Sequence, residues 1–270
     1  MRRILVGLVF LSALCASVHA AMGAEPDEEA RVSRFYEAWG LDPRNPQSLT
    51  DFGTVMANSG QIEEGRLYYE KALAQDPGFR EAAYGVAILD LDSGKVIEAV
   101  VALNRLSRGQ DEFAARAHHR LARQSAMEGF PDEAFGHFVR ANEILPENLE
   151  LGLDLGTALI RRERYAEALS LADQLLQAHP ESPMSFFLRG QALLGQGDTM
   201  TARQAFQEAV RLDERQPWAL FELGGLAQEA GDLELARTLY REALSAASAR
   251  GEAALARRAR RAVSKLPARE

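Results

Sequence analysis

Outside the first twenty residues the chain carries four histidines: His118, His119, His137 and His179. Imidazole is the side chain best suited to holding a metal or moving a proton near neutral pH. A chelating pair on a helix needs i, i+4 spacing with a carboxylate nearby. His118 and His119 are adjacent, so they point in different directions and do not chelate together. No Gly-rich phosphate loop, nucleophile elbow or paired-carboxylate motif stands apart from the ordinary charged surface. Glu63-Glu64 and Asp27-Glu28-Glu29 read more simply as solvated helix starts. The residues name no catalytic group, no metal ligand and no cofactor.

The thiol inventory leads elsewhere. Cys15 is the only cysteine, and it sits in an N-terminal stretch that reads as a secretory signal. Arg2 and Arg3 form a charged start, Ile4 to Ala16 an apolar run, and Val18-His19-Ala20 a cleavage site with cutting expected after Ala20. The alternative is an uncleaved anchor, but the run is short of the roughly 20 residues that span a membrane. Leu14 before Cys15 argues against lipidation, since such signals want a small residue there. Once cleaved, the chain has no disulfide, thiol nucleophile or zinc–thiolate site.

With no chemistry to place, the question becomes which elements the sequence builds. The 270 residues are 47% hydrophobic and 26% charged, enough for a large core and unlike a disordered chain. Alanine, leucine, glutamate and arginine dominate, and all four favour helix. The formal net charge is −8 and the pI about 5.3. A nucleic-acid binder is more often basic, so nucleic acid is not an expected partner.

A 34-residue period runs through the chain in six segments: 46–79, 80–113, 115–148, 149–182, 183–216 and 217–250. Position 8 is always small: Gly53, Ala87, Ala122, Gly156, Gly190 and Gly224. Position 20 is Gly65 and then alanine, and position 24 is Tyr69, Leu103, Phe138, Ala172, Phe206 and Tyr240. Close crossing of two helices requires the small residues, and the large residue at position 24 fills the wedge between neighbours. A glycine between the two halves (Gly60, Gly94, Gly129, Gly197, Gly231) ends the first helix by turning left-handed; Glu163 stands there in the fourth repeat. Pro77, Pro146 and Pro180 end second helices.

These residues resemble the tetratricopeptide repeat family, best at Leu155-Gly156 with Ala168 and Pro180, and at Leu223-Gly224 with Ala236 and Tyr240. The resemblance spans residues 46–250. It implies an all-α fold, a right-handed α-solenoid superhelix of helix-turn-helix repeats. Three departures stand out. The second repeat ends in Ser107-Arg108-Gly109-Gln110 instead of proline, so its second helix should stop early. Arg189 replaces an apolar residue. Ala172 leaves the fourth wedge underfilled or closed by a neighbour.

The resemblance also implies that positions 2, 5, 9 and 12 of each first helix line a concave groove. Mapped here, these include an apolar strip of Tyr84, Ile88, Leu153, Ile160, Phe187, Trp218 and Phe221, with Gln191 beside it. They also include His119, and Arg116 and Arg123, which with Arg120 and the next repeat's Arg161 and Arg162 form a basic zone. Aromatics and arginine supply most interface hot spots. The partner expected is another protein or a peptide segment with apolar anchors and acidic residues. The competing reading is that part of the strip is buried. The family's chaperone-tail clamp is disfavoured, because position 9 (Thr54, Ile88, Arg123, Thr157, Gln191, Gly225) never offers asparagine.

Two flanks complete the chain. Residues 21–45 hold a short expected helix over 26–40, with Phe35, Tyr36 and Trp39 on its apolar side. Residues 251–270 read as a capping helix with Ala256, Ala259, Val263 and Leu266 facing the stack. That segment carries Arg257, Arg258, Arg260, Arg261, Lys265 and Arg269 against Glu252 and Glu270, while 21–250 carries −14. Its alternative use is contact with anionic lipid headgroups or with an acidic partner. The resulting expectation is a periplasmic or envelope-associated bacterial interaction scaffold of open oligomeric state. A self-associating structural subunit and a glycan-binding accessory protein are the alternatives.

Overall fold

The computed structural model describes residue 42 and residues 44–267; the expected signal at 1–20 and flanking helix at 26–40 lie outside them. The described residues form thirteen α-helices and no strand. In chain order these are α1 (Pro46–Asn58), α2 (Ile62–Gln75), α3 (Arg80–Asp92), α4 (Val96–Leu106), α5 (Glu112–Glu128), α6 (Pro131–Ile144), α7 (Leu149–Arg161), α8 (Tyr165–Ala178), α9 (Pro183–Gly195), α10 (Thr199–Leu212), α11 (Pro217–Glu229), α12 (Leu233–Ala249) and α13 (Ala253–Lys265). Each odd-numbered helix up to α11 opens a repeat and the next closes it. None is long and apolar enough to cross a membrane.

Local chemistry sets the boundaries. Asn45, Asn148, Ser182, Asp198, Gln216 and Asp232 each accept a backbone N–H of the helix they precede, which offsets the unmet donors of a first turn by about 1 kcal/mol apiece. Pro46, Pro131, Pro183 and Pro217 take first-turn positions where no N–H is needed. Inside the repeats the chain reverses through the left-handed region, at φ between 77° and 86° for Gly60, Gly94, Gly129, Gly197 and Gly231. Glu163 adopts the same conformation at φ 58° and is the one non-glycine among the described residues to do so.

Packing follows the small-against-large pattern. A Cβ on Gly53 would lie 2.9 Å from the Tyr69 ring, on Gly190 2.5 Å from Phe206, and on Gly224 2.8 Å from Tyr240. In each case the ring comes from position 24 of the same repeat. The fourth repeat solves the problem differently. Ala172 is too small to reach Gly156, and Leu188 of α9, in the next repeat, fills the space, 2.3 Å from where a Cβ would sit.

The second helix of the second repeat is short, 11 residues against 14 in α2, α6, α8 and α10. A polar clamp replaces the missing proline. Arg80 donates to the Leu106 carbonyl at 2.6 Å and pairs with Asp111 at 2.6 Å. Asp111 in turn accepts the Ala114 N–H at 2.9 Å, capping α5. Arg189, the polar intruder at position 7, donates to Asp173 at 2.8 Å and stays half-exposed.

The chain divides into two compact bodies at Gln124–Ser125, within α5. The N-terminal body has one core around Leu49, Phe52, Met56 and Tyr69 and another around Tyr84, Leu103 and Leu121. The C-terminal body has a core around Leu155, Leu175 and Leu188, followed by one around Phe187, Phe206 and Leu226. At its end, α13 packs Leu255, Ala256 and Ala259 against α11 and α12. Leu255, absent from the expected capping face, is fully buried.

Candidate functional site

The expected groove residues separate into exposed and buried sets. In the N-terminal body, Tyr84 is buried rather than offered to a partner, at 8% exposure. The reason is the arginines of α5. Arg116 lies 4.8 Å over the Tyr84 ring, and Arg120 donates to its hydroxyl at 3.3 Å. Phe113 flanks the same ring at 6.2 Å. Arg116 also reaches Glu112 at 3.5 Å. His119 is buried as well, at 5%, which removes it from the accessible surface. Ile88 is half-buried, and Arg123 is exposed with no ion pair among the described residues. Of the arginines expected in one basic zone, Arg116 and Arg120 are therefore engaged in covering an aromatic ring.

In the C-terminal body, Arg162 is likewise committed. It pairs with Asp132 at 2.6 Å and lies 4.5 Å over Phe135. On α7, Leu153 and Ile160 are half-buried, with Thr157 exposed between them; on α9, Gln191 and Leu194 are half-buried. The two helices pack side by side. Phe187 is a correction: at 7% exposure it is a core residue, wedged between Phe206 at 5.8 Å and Trp218 at 6.5 Å. Position 5 of the fifth repeat thus packs inward, between Phe206 of its own repeat and Trp218 of the next.

Trp218 and Phe221 remain half-exposed but are shared with the C-terminal helix. Arg258 lies 4.8 Å over Phe221 and 5.7 Å over Trp218. Cation–π contacts of this kind are worth about 0.5–1 kcal/mol each when exposed. Beside them α11 and α13 enclose an open cleft of about 580 Å³, lined by Phe221, Gln228, Arg257, Arg258, Arg261 and Lys265. Glu222 is close by. Burial pushes its carboxyl above the ordinary range, Arg258 pulls it back in part, and Glu229 pushes it further up.

The histidines do not come together. His137 lies 4.0 Å from Glu133 on its own helix, and burial lowers its pKa despite that carboxylate. His179 Nε2 donates to the Glu147 carbonyl at 2.8 Å. Among the described residues no three metal-ligating side chains converge.

Sequence periodicity located the first-helix faces but not the depth of each side chain. The basic residues of α13 read as a solvated cap, with anionic lipid or an acidic partner as the alternative, and what the structure adds is the cleft they line with α11. The available signal was the i, i+4, i+8 recurrence of Arg257, Arg261 and Lys265.

Comparison with known proteins now bears on the fold. A family model described as tetratricopeptide repeat matches residues 128–183, 153–217 and 187–253. The Hsp70-Hsp90 organizing protein of Triticum aestivum is 33% identical over 82 residues, 30% of this chain and 14% of that protein. The chain thus spans a small part of that curated relative. Among solved structures, YrrB, a TPR protein with an unusual peptide-binding site, superposes with TM-score 0.51 at 18% identity, covering 70% of this chain and 95% of that one. The APC/C hetero-tetramer Cut9-Hcn1 superposes with TM-score 0.60 at 17% identity, covering 92% and 48%.

Proposed function

This chain belongs to the tetratricopeptide repeat family, and on that premise we propose that it is an exported scaffold that holds a partner's apolar and acidic segment on its first helices. The fold is that of a protein–protein interaction scaffold. The observation that carries the finer reading is the accessible strip on the packed pair α7 and α9. Leu153, Ile160 and Leu194 keep part of their apolar surface after the core has closed, and Thr157 and Gln191 sit among them as hydrogen-bonding groups. Apolar anchors with a few polar groups between them suit an extended or helical segment. YrrB, with the same fold, carries a peptide-binding site, which supports this mode of use. The N-terminal stretch that reads as a secretory signal supports export to the periplasm or envelope of a bacterium, and assembly of an envelope machine is the process proposed.

The test is in-cell crosslinking with mass spectrometry on tagged wild type and a Thr157→Arg, Gln191→Arg variant. Both positions are accessible, so circular dichroism should show helicity unchanged. Capture of a partner through an apolar and acidic segment, lost in the variant, supports the proposal. Retention of the same partner by the variant refutes it. Fractionation and the mass of the mature N-terminus test export, with cleavage expected after Ala20.

A second reading, self-association, draws on α4, where Ile97 is 79% exposed and Val101, one turn on, 48%. A concentration-independent monomer by light scattering rejects it.

A further inference from the structure

The α11–α13 cleft stands apart from the α7–α9 strip and has a chemistry of its own. Its walls present hydrogen-bond donors. Arg257, Arg261 and Lys265 line it, are exposed, and form no ion pair among the described residues. Arg258 is held over the Phe221 and Trp218 rings. Gln228 accepts the Tyr240 hydroxyl at 3.0 Å on its Oε1, which leaves its NH2 group for a ligand. Three cations without an ion pair and an amide donor line the same cleft as an aromatic ring, with Glu222 and Glu229 the carboxylates nearby, in a chain whose net charge is −8. The complement of such a lining is a group of acceptors with negative charge.

The spacing narrows the choice. Arg257, Arg261 and Lys265 recur every four residues, so they stack along one stripe of α13 at steps of about 6 Å. In an extended peptide, alternate side chains on one face recur at roughly 6.5 Å. Intervening side chains point the opposite way, toward the α11 wall where Phe221 lies. We propose that the cleft between α11 and α13 binds an extended acidic segment of a partner protein, with carboxylates at alternate positions against Arg257, Arg261 and Lys265 and an intervening apolar side chain against Phe221. A lone phosphate or a lipid headgroup meets at most part of that ladder.

The experiment is fluorescence anisotropy of the labelled peptide Glu-Leu-Glu-Ala-Glu with the full mature chain at low salt. Saturable binding is expected, weakened about tenfold or more in Arg257→Glu, Arg261→Glu and also in Lys265→Glu, with helicity retained. The control Arg260→Glu carries a like charge change on α13 outside the cleft lining and should leave affinity within about twofold. A Gln-Leu-Gln-Ala-Gln peptide should not bind. The proposal is overturned if the acidic peptide does not bind, if Arg260→Glu weakens it as much as the cleft variants, or if inorganic phosphate displaces it at equal concentration. It is also overturned if phosphatidylcholine vesicles containing phosphatidylglycerol bind in an Arg257- and Arg261-dependent way while the peptide does not. Because Thr157→Arg, Gln191→Arg leaves the cleft intact, that variant should bind the peptide normally whatever becomes of the α7–α9 proposal.

Discussion

Gly190→Ala is the substitution whose outcome the geometry decides most sharply. Alanine is the better helix former by about 1 kcal/mol, so an exposed glycine in mid-helix should gain stability on replacement. Gly136 on α6 is such a position, exposed and with nothing within 4 Å of an added Cβ. Gly190 is the opposite case. Its Cβ would meet Phe206 at 2.5, 2.6 and 2.9 Å. The ring cannot retreat, because Phe206 is fully buried and has Phe187 against it at 5.8 Å. Overpacking of this kind costs about 1–3 kcal/mol, which cancels or exceeds the propensity gain and leaves a net loss of up to about 2 kcal/mol. Gly136→Ala should instead gain about 0.5–1 kcal/mol. A repeat array need not unfold in one step, so native-state hydrogen exchange of α9 and α10 amides is the measurement, beside urea melting by circular dichroism. Faster exchange confined to those helices is expected for Gly190→Ala. Phe206→Leu, added to it, should recover part of the loss relative to its effect on wild type. If Gly190→Ala and Gly136→Ala stabilise alike, the crossing is looser than described and the small-against-large account of this array fails.

Glu163→Gly should raise stability by about 0.5–1 kcal/mol in denaturant melting, because it relieves a side chain held at φ 58°. Glu222→Gln should stabilise the chain at neutral pH. Burial first, and Glu229 as well, raise the folded carboxyl's pKa against the pull of Arg258, so its ionised form destabilises the fold above that value. The advantage of glutamine should shrink as pH falls through the raised value and vanish below the ordinary carboxylate range, as read by Tm against pH. Asp111→Ala should cost about 1 kcal/mol near pH 7 through loss of the α5 cap. Burial works against the Asp111 carboxylate, but its bonds from Arg80 and the Ala114 N–H hold its pKa below the ordinary value. The wild-type advantage should persist in mild acid and be lost only as pH falls through that lowered value.

Much of this fold was legible because repetition averages out local ambiguity. One glycine at position 8 says little; six small residues in register, each with a partner at position 20 or 24, define a crossing. Even the odd member was readable in part: Ala172 signalled that its wedge had to be closed from outside, and Leu188 closes it. The surface was harder to read. Tyr84, His119 and Phe187 occupy positions that face the groove in the family's pattern, yet each is buried by something the period does not encode. Arg116 and Arg120 cover Tyr84, and Phe206 and Trp218 close around Phe187. Side-chain depth depends on which neighbour reaches over, and the repeat position alone does not name that neighbour. The cleft at the basic end was hidden for a related reason. Counting charges on 251–270 treats them as one solvated face, whereas four of them gather on one wall of a cleft whose other wall is α11.

The borrowed Leu188 makes the joints of this array unequal. Where a repeat fills its own wedge, as with Phe206 and Tyr240, its helix crossing is closed from within. The fourth repeat's is not, because the plug for its helix crossing is anchored on α9. Any excursion that lifts α9 away pulls that plug out and exposes Gly156 and Ala172 together. The fourth and fifth repeats therefore form a single fluctuating block, and a truncation drawn at the period boundary after Ser182 would leave a vacancy within the last repeat retained.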